Sequence, residues 1–176
     1  LAKFDNTGNL KWANNYGDSN FMSSETGGIQ ILGDNRILLS ITSMGNGMDI
    51  DPSAAVHRSG NKGASVVCYN PDGSFSWVAD GQKNYSYTTQ GCNMGVDADN
   101  NSYYFSIGYY ETTITKINSS GIVQWYKTLG LFSSGSRVNT KGMLVSENGA
   151  IFIYGTFSDT VDFDPGTGVT QLLASK

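Results

Sequence analysis

Histidine occurs once in the 176 residues, cysteine twice and proline three times, and charged side chains make up only 15% of the chain. Neither Cys68 nor Cys92 sits in a CxxC or Cys/His spacing, so the metal sites such spacings build are not indicated, and the pair can form one disulfide or none. Lys and Arg number 11 against 15 Asp and Glu, with a pI near 4.7, so no basic patch is at hand to neutralise a phosphate backbone. Nucleic acid is thereby excluded as a partner. No apolar run approaches the ~20 residues of a membrane helix, which excludes insertion by that route. No signal peptide opens the chain; "LAKFD" reads instead as the middle of a strand. A segment of a longer polypeptide is the expectation, and the missing signal is no argument for the cytoplasm.

Abundant Gly (22 residues), Asn and Ser favour strands and turns over helices. Three stretches share one pattern: "FDNTGNLKW" (4–12), "YNPDGSFSW" (69–77) and "INSSGIVQW" (117–125). Each runs from an apolar residue through Asp or Asn to a glycine, Gly8, Gly73 or Gly121, and then to a tryptophan, Trp12, Trp77 or Trp125. This predicts a β-hairpin whose glycine supplies positive φ and whose second strand ends in a large buried ring. A second hairpin is predicted after each tryptophan, at 28–42, 95–108 and 142–155, where short alternating strands flank an Asp/Asn/Gly turn. Six hairpins make twelve strands. Two hairpins per repeat of 50 to 65 residues is the signature of a four-stranded propeller blade.

The pattern "LAKFDNTGNLKW", with the later "NGAIFIYGTFSDTVDFDPGTGV", resembles the bacterial β-propeller repeats of secreted and surface proteins known as SBBP repeats. It is more distantly similar to quinoprotein-like blades, although Asp5 to Trp12 is one residue shorter than their tryptophan motif. The resemblance spans essentially the whole chain. It implies an all-β β-propeller of four-stranded antiparallel blades and an extracellular or cell-surface setting, and it implies little about activity.

Residues 1–176 are accordingly read as one propeller region of three blade-equivalents: an outer (C–D) hairpin at 1–16, blades at 28–78 and 95–126, and an inner (A–B) hairpin at 142–176. Three blades cannot close a ring that needs about four to eight. The remaining blades are expected from the same longer chain, with a second copy as the alternative.

Trp12 to Trp77 is 65 residues and Trp77 to Trp125 is 48; the difference lies in the connector from Met44 to Ser65, which contains "DIDP" and has only Tyr109 to Thr113 as its counterpart. The motif returns as "DFDP" at 162–165. In an up-and-down blade the tight turns share one face and the connectors the other, so one face is plain and the other elaborated. Loops beyond ~12 residues are uncommon unless they carry function or are disordered. The long loops are rich in Tyr, Ser, Gly and Asn, a composition suited to binding. Tyr16, Phe21, Tyr85, Tyr87 and Phe132 are the candidate ligand-facing aromatics, for a protein or glycan partner.

Chemistry has few candidates. His57, in "AAVHRSG", could recruit Ser59 with Asp49 or Asp51, but no GxSxG elbow occurs, and Cys92 has no identifiable base. No catalytic residue and no cofactor is expected. Asp49/Asp51 and Asp162/Asp164 offer oxygen ligands for calcium, yet neither pair continues as a calcium loop, so a structural turn is preferred. Three Asn-x-Ser sequons, at Asn84, Asn100 and Asn118, are what chance yields in so Asn- and Ser-rich a chain. The expected function is a non-catalytic scaffold presenting a loop-rich face. The alternatives are the propeller of a larger enzyme whose active centre lies elsewhere, and a purely structural spacer.

Overall fold

The computed structural model describes residues 1–17, 23–44, 47–60, 63–81, 93–107, 112–129 and 137–174. The architecture is all-β, with antiparallel sheets of two or four strands and no helix among the described residues. Strands β1 (Ala2–Phe4) and β2 (Leu10–Ala13) form a hairpin. A four-stranded meander follows from β3 (Ser23–Ile31), β4 (Ile37–Met44), β5 (Gly63–Tyr69) and β6 (Phe75–Asp80). The next is built from β7 (Met94–Val96), β8 (Ser102–Ile107), β9 (Thr112–Ile117) and β10 (Val123–Leu129). Then come the hairpins β11 (Arg137–Val145) with β12 (Ile151–Ser158), and β13 (Thr160–Asp162) with β14 (Gln171–Leu173).

One turn geometry recurs six times, starting at Asp5, Leu32, Asn70, Asp97, Asn118 and Ser146. The first residue's N–H donates to the fifth residue's carbonyl and the fourth residue's N–H donates back to the first, at 2.8–3.1 Å. The fourth residue is in the left-handed region each time: Gly8 (φ 85°), Asn35 (67°), Gly73 (87°), Asn100 (61°), Gly121 (84°) and Gly149 (81°). This is the three-residue hairpin loop, which needs a residue tolerant of positive φ at that place. Polar side chains at the first position reinforce it: Oδ1 of Asp5, Asp97 and Asn118 each accepts the N–H groups of the third and fifth residues.

The three tryptophan hairpins also share a register. Phe4 pairs Leu10 while Lys3 pairs Trp12; Tyr69 pairs Phe75 while Cys68 pairs Trp77; Ile117 pairs Val123 while Lys116 pairs Trp125. The same one-residue bulge sits in all three, so the alignment read from sequence is also a backbone alignment.

Two differences from the sequence reading have a physical cause. The third and eleventh strands begin at Ser23 and Arg137, five residues ahead of the expected Gly28 and Gly142. Register shifts between Thr26 and Ile29, and between Thr140 and Gly142, break the two-residue period there and hide the first halves of these strands. Fourteen strands are also described instead of twelve, because the segment after "DFDP" pairs with the one before it.

Three apolar clusters join the sheets in chain order. One holds Ile37, Ile41, Val67 and Tyr69 of the first meander with Leu1 and Trp12 of the opening hairpin. Another holds Leu38, Val66 and Cys68 with Met94, Tyr104 and Ile117 of the second meander. The third holds Phe105, Ile114 and Leu129 with Met143, Ile151 and Ile153. Alternate residues of β5 thus serve opposite clusters, and six of its seven residues are buried. Burial on both faces explains why the strand reads as a nearly unbroken apolar run.

Candidate functional site

The two aspartate motifs form one and the same loop. In the first, Asp49 Oδ1 accepts the N–H groups of Asp51 and His57, both at 3.2 Å, and Asp51 Oδ1 accepts that of Ser53 at 2.8 Å. In the second, Asp162 Oδ1 accepts the N–H of Asp164 (3.0 Å) and of Thr170 (2.8 Å), and Asp164 Oδ1 that of Gly166 (2.7 Å). Donor offsets of two, eight and two are identical, and so is the ladder beneath. The N–H of Ile50 reaches His57 O and the N–H of Phe163 reaches Thr170 O, at 2.8 and 2.9 Å. Asp49 bridges Arg58 just as Asp162 pairs Gln171. One carboxylate oxygen of each residue therefore closes the turn, with proline fixing φ next to the second aspartate.

The residue between the aspartates points inward. Ile50 is fully buried, Tyr69 donates its hydroxyl to Ile50 O at 3.0 Å, and Phe163 meets the Phe157 ring edge-on at 5.3 Å. The first connector therefore lies back on the face of its own sheet.

His57 stacks on Phe75, with centroids 4.6 Å apart, and its Nδ1 lies 2.7 Å from Asp51 Oδ2. Hydrogen bonds from Ser53, backbone first and then hydroxyl, hold the Asp51 carboxyl below its ordinary range, with His57 adding to them. Ser59 is buried, and its hydroxyl accepts the N–H of Met48 at 2.9 Å. The Asp–His contact thus exists, while the serine is engaged within the loop. Among the described residues no group of three or more His, Cys, Asp or Glu converges as a metal site.

Of the five aromatics expected to face a ligand, Phe21, Tyr85, Tyr87 and Phe132 lie outside the described residues, as does Cys92. Tyr16 is half-buried and stacks on Tyr69 at 5.0 Å with its hydroxyl enclosed, so its ring is engaged in the packing between sheets. Cys68 is a free, fully buried thiol; burial pushes its pKa up to about 11, against the pull of the Arg36 guanidinium. Sequon residue Asn84 is likewise outside the described residues, whereas Asn100 Oδ1 accepts the N–H of Gly33 at 2.7 Å.

Two arrangements escaped the sequence reading. Trp12 and Trp77 lie over the turn glycine of the next tryptophan hairpin: a Cβ built on Gly73 would sit 3.0 Å from the Trp12 ring, and one on Gly121 would sit 2.7 Å from that of Trp77. Trp12 Nε1 also donates to Pro71 O at 3.2 Å. A signal was present, since asparagine serves the same φ at Asn35 and Asn100 while the tryptophan hairpins have glycine all three times. The second arrangement is a buried acid. Asp97 accepts hydrogen bonds from Asn101 and from the Tyr103 hydroxyl (2.8 Å), with Lys116 3.9 Å away and over the Tyr103 ring. Burial raises its pKa, and the hydrogen bonds from Asn101 and Tyr103 more than reverse this, leaving it lowered.

No protein-family model matches the chain, and no curated protein matches it either.

Proposed function

We propose that the chain is a run of β-propeller blades acting as a non-catalytic scaffold, with its connector side as a binding surface for a protein or glycan. One observation carries this reading. The six three-residue hairpin loops among the described residues have one geometry, and those of each meander lie at one end of its strands, with Ile31 paired to Ile37, Ile37 to Tyr69 and Tyr69 to Phe75. The opposite strand ends carry connectors of unequal length. Repetition thus resides in the framework, and variation in the loops, where recognition residues are most readily exchanged. The secreted or cell-surface setting rests on the resemblance to the bacterial repeat family.

The reading is tested by probing glycan arrays and immobilised surface-protein panels with the labelled chain and with the double variant Tyr85→Ala/Tyr87→Ala. Binding by the parent that the variant loses at unchanged melting temperature supports a binding surface on these loops. Absence of any captured glycan or protein favours a spacer.

A further inference from the structure

We propose that the seam between the two four-stranded meanders binds ordered water, held by a block of serine and threonine hydroxyls on β8, β9 and β10. This goes beyond the scaffold reading and is independent of any ligand on the connector side.

Register decides which side chains meet in the seam. Tyr104 and Ile117 pack in one cluster with Leu38, Val66 and Cys68, so their side of the second meander faces the first. Side chains alternate along a strand, which puts Thr113 and Thr115 on the same side of β9 as Ile117. Strand pairing carries that side across the sheet. Ser102 lies opposite Ile117, Tyr104 and Tyr126 flank Thr115, and Ser106 and Thr128 flank Thr113. Ser106, Thr113 and Thr128 therefore form a row of three hydroxyls, with Thr115 and Ser102 farther along the same face.

These hydroxyls are enclosed and unpaired. Ser102, Thr113 and Thr115 are 1%, 1% and 0% exposed, and the hydroxyl oxygen of each has no hydrogen-bond partner among the described residues. The facing side of the first meander offers them little, since it presents Ala64, Val66 and Ala79, and the Ser40 hydroxyl is engaged by the N–H of Gly28 at 2.6 Å. A buried hydroxyl without a partner is costly, and polar groups so placed in folded proteins are satisfied by protein or by ordered water.

The packing leaves room for it. Tyr104 spans the seam, its hydroxyl standing where a Cβ on Gly81 would be, just past the last strand of the first meander. Beside that long ring stands Thr115, with alanines on the sheet opposite, so side chains too short to meet line the space that Tyr104 holds open. Side chains facing each other on paired strands have Cβ atoms about 4.5–5.5 Å apart, a separation that one water molecule bridges. A buried water makes about three hydrogen bonds, and the row of Ser106, Thr113 and Thr128 supplies three hydroxyls side by side. Ser106 and Thr128 are half-buried, so the row opens toward the connector side, where water enters.

The test combines a high-resolution crystal structure of the chain with urea melts of Thr113→Val and Thr115→Val. The expected structure has ordered water within hydrogen-bond distance of Oγ1 of both threonines. Valine keeps the β-branched shape and removes only the hydroxyl, so the sign of the melt separates a wet seam from a dry one. With water bound, each variant leaves that water one partner short, and the folding constant falls about two- to tenfold. In a dry seam each variant removes an unsatisfied hydroxyl and the urea midpoint rises. Absence of water at either Oγ1, or a midpoint raised or unchanged in either variant, would overturn the proposal; the crystal of the parent chain decides alone where a variant does not fold. None of these outcomes bears on the ligand-binding test above.

Discussion

Replacing Gly121 with alanine separates two demands that one residue meets. Its φ of +84° lies in the left-handed region, and the Trp77 ring closes over it, at 2.7 Å from an ideal Cβ. Gly8 has the same φ (+85°) in the same turn with nothing within 4 Å, so Gly8→Ala measures the backbone demand alone. Left-handed backbone costs an L-residue about 1–2 kcal/mol. Stiffening of the unfolded chain returns about 0.4–1 kcal/mol, leaving a net loss near 1 kcal/mol for Gly8→Ala. At Gly121 the methyl must also displace a packed indole, and overpacking of this kind adds about 1–3 kcal/mol. The expected loss is therefore ~2–4 kcal/mol, or a melting temperature lowered by about 4–16 °C for a domain of this size.

The assay is urea unfolding followed by tryptophan fluorescence, comparing midpoints at unchanged slope. Gly121→Asn is the informative control, because asparagine accepts the backbone conformation, as Asn35 and Asn100 do, and still clashes with the ring. If Gly8→Ala and Gly121→Ala destabilise equally, the ring-over-glycine contact contributes nothing and the account of how successive hairpins pack is wrong.

Acid should destabilise the protein partly through Asp97: its folded pKa is depressed, so its stabilisation is present above the unfolded aspartate value of about 3.9 and is lost as pH falls below it. Asp97→Asn should lower stability at pH 7 and flatten the stability curve below pH ~4, as read by urea melts across pH. Cys68, fully buried and with its pKa pushed up to about 11, should resist alkylation in the native chain and react once urea unfolds it, as followed by mass spectrometry of the labelled peptide. Asp49→Ala should cost about 1–3 kcal/mol in a urea melt, because two loop N–H groups lose their acceptor. Millimolar calcium should leave the melting temperature unchanged, since a ligand of the native state alone must raise it; a rise of several degrees, abolished by Asp162→Asn, would assign the paired carboxylates to a metal.

The hairpins were legible because each is a local statement: two alternating runs with a turn residue between them decide the geometry without reference to the rest of the chain. The same holds for the shared register of Phe4, Tyr69 and Ile117 with their tryptophan strands. What was not legible depends on neighbours distant in sequence. The bulges ahead of Ile29 and Gly142 hide half of two strands from any periodicity. Tyr16 looks like a loop aromatic until Tyr69, 5.0 Å away, takes its ring. Asp97 looks like any turn residue until Tyr103 and Lys116 close on it from two further strands.

The paired aspartates lie between these cases. Their recurrence at identical spacing marks them as a unit, but sequence leaves open whether that unit is extended toward a partner. Two features of the first loop decide its disposition. Its inner carboxylate oxygens accept three backbone N–H groups, so the loop carries its own polar satisfaction and can lie against apolar surface without stranding those donors. Its central side chain, Ile50, has no exposed area, and burying an isoleucine fully is worth about 1.5–3 kcal/mol. A loop so anchored acts as a cover over Tyr69 and Phe75, with His57 laid flat on the latter. The second copy of the loop has the same internal bonds and a weaker seat, since Phe163 meets Phe157 beside an open cavity. That contrast follows from the sheets beneath: the first loop rests on a sheet of four strands, whereas among the described residues the sheet beside the second has β11 and β12.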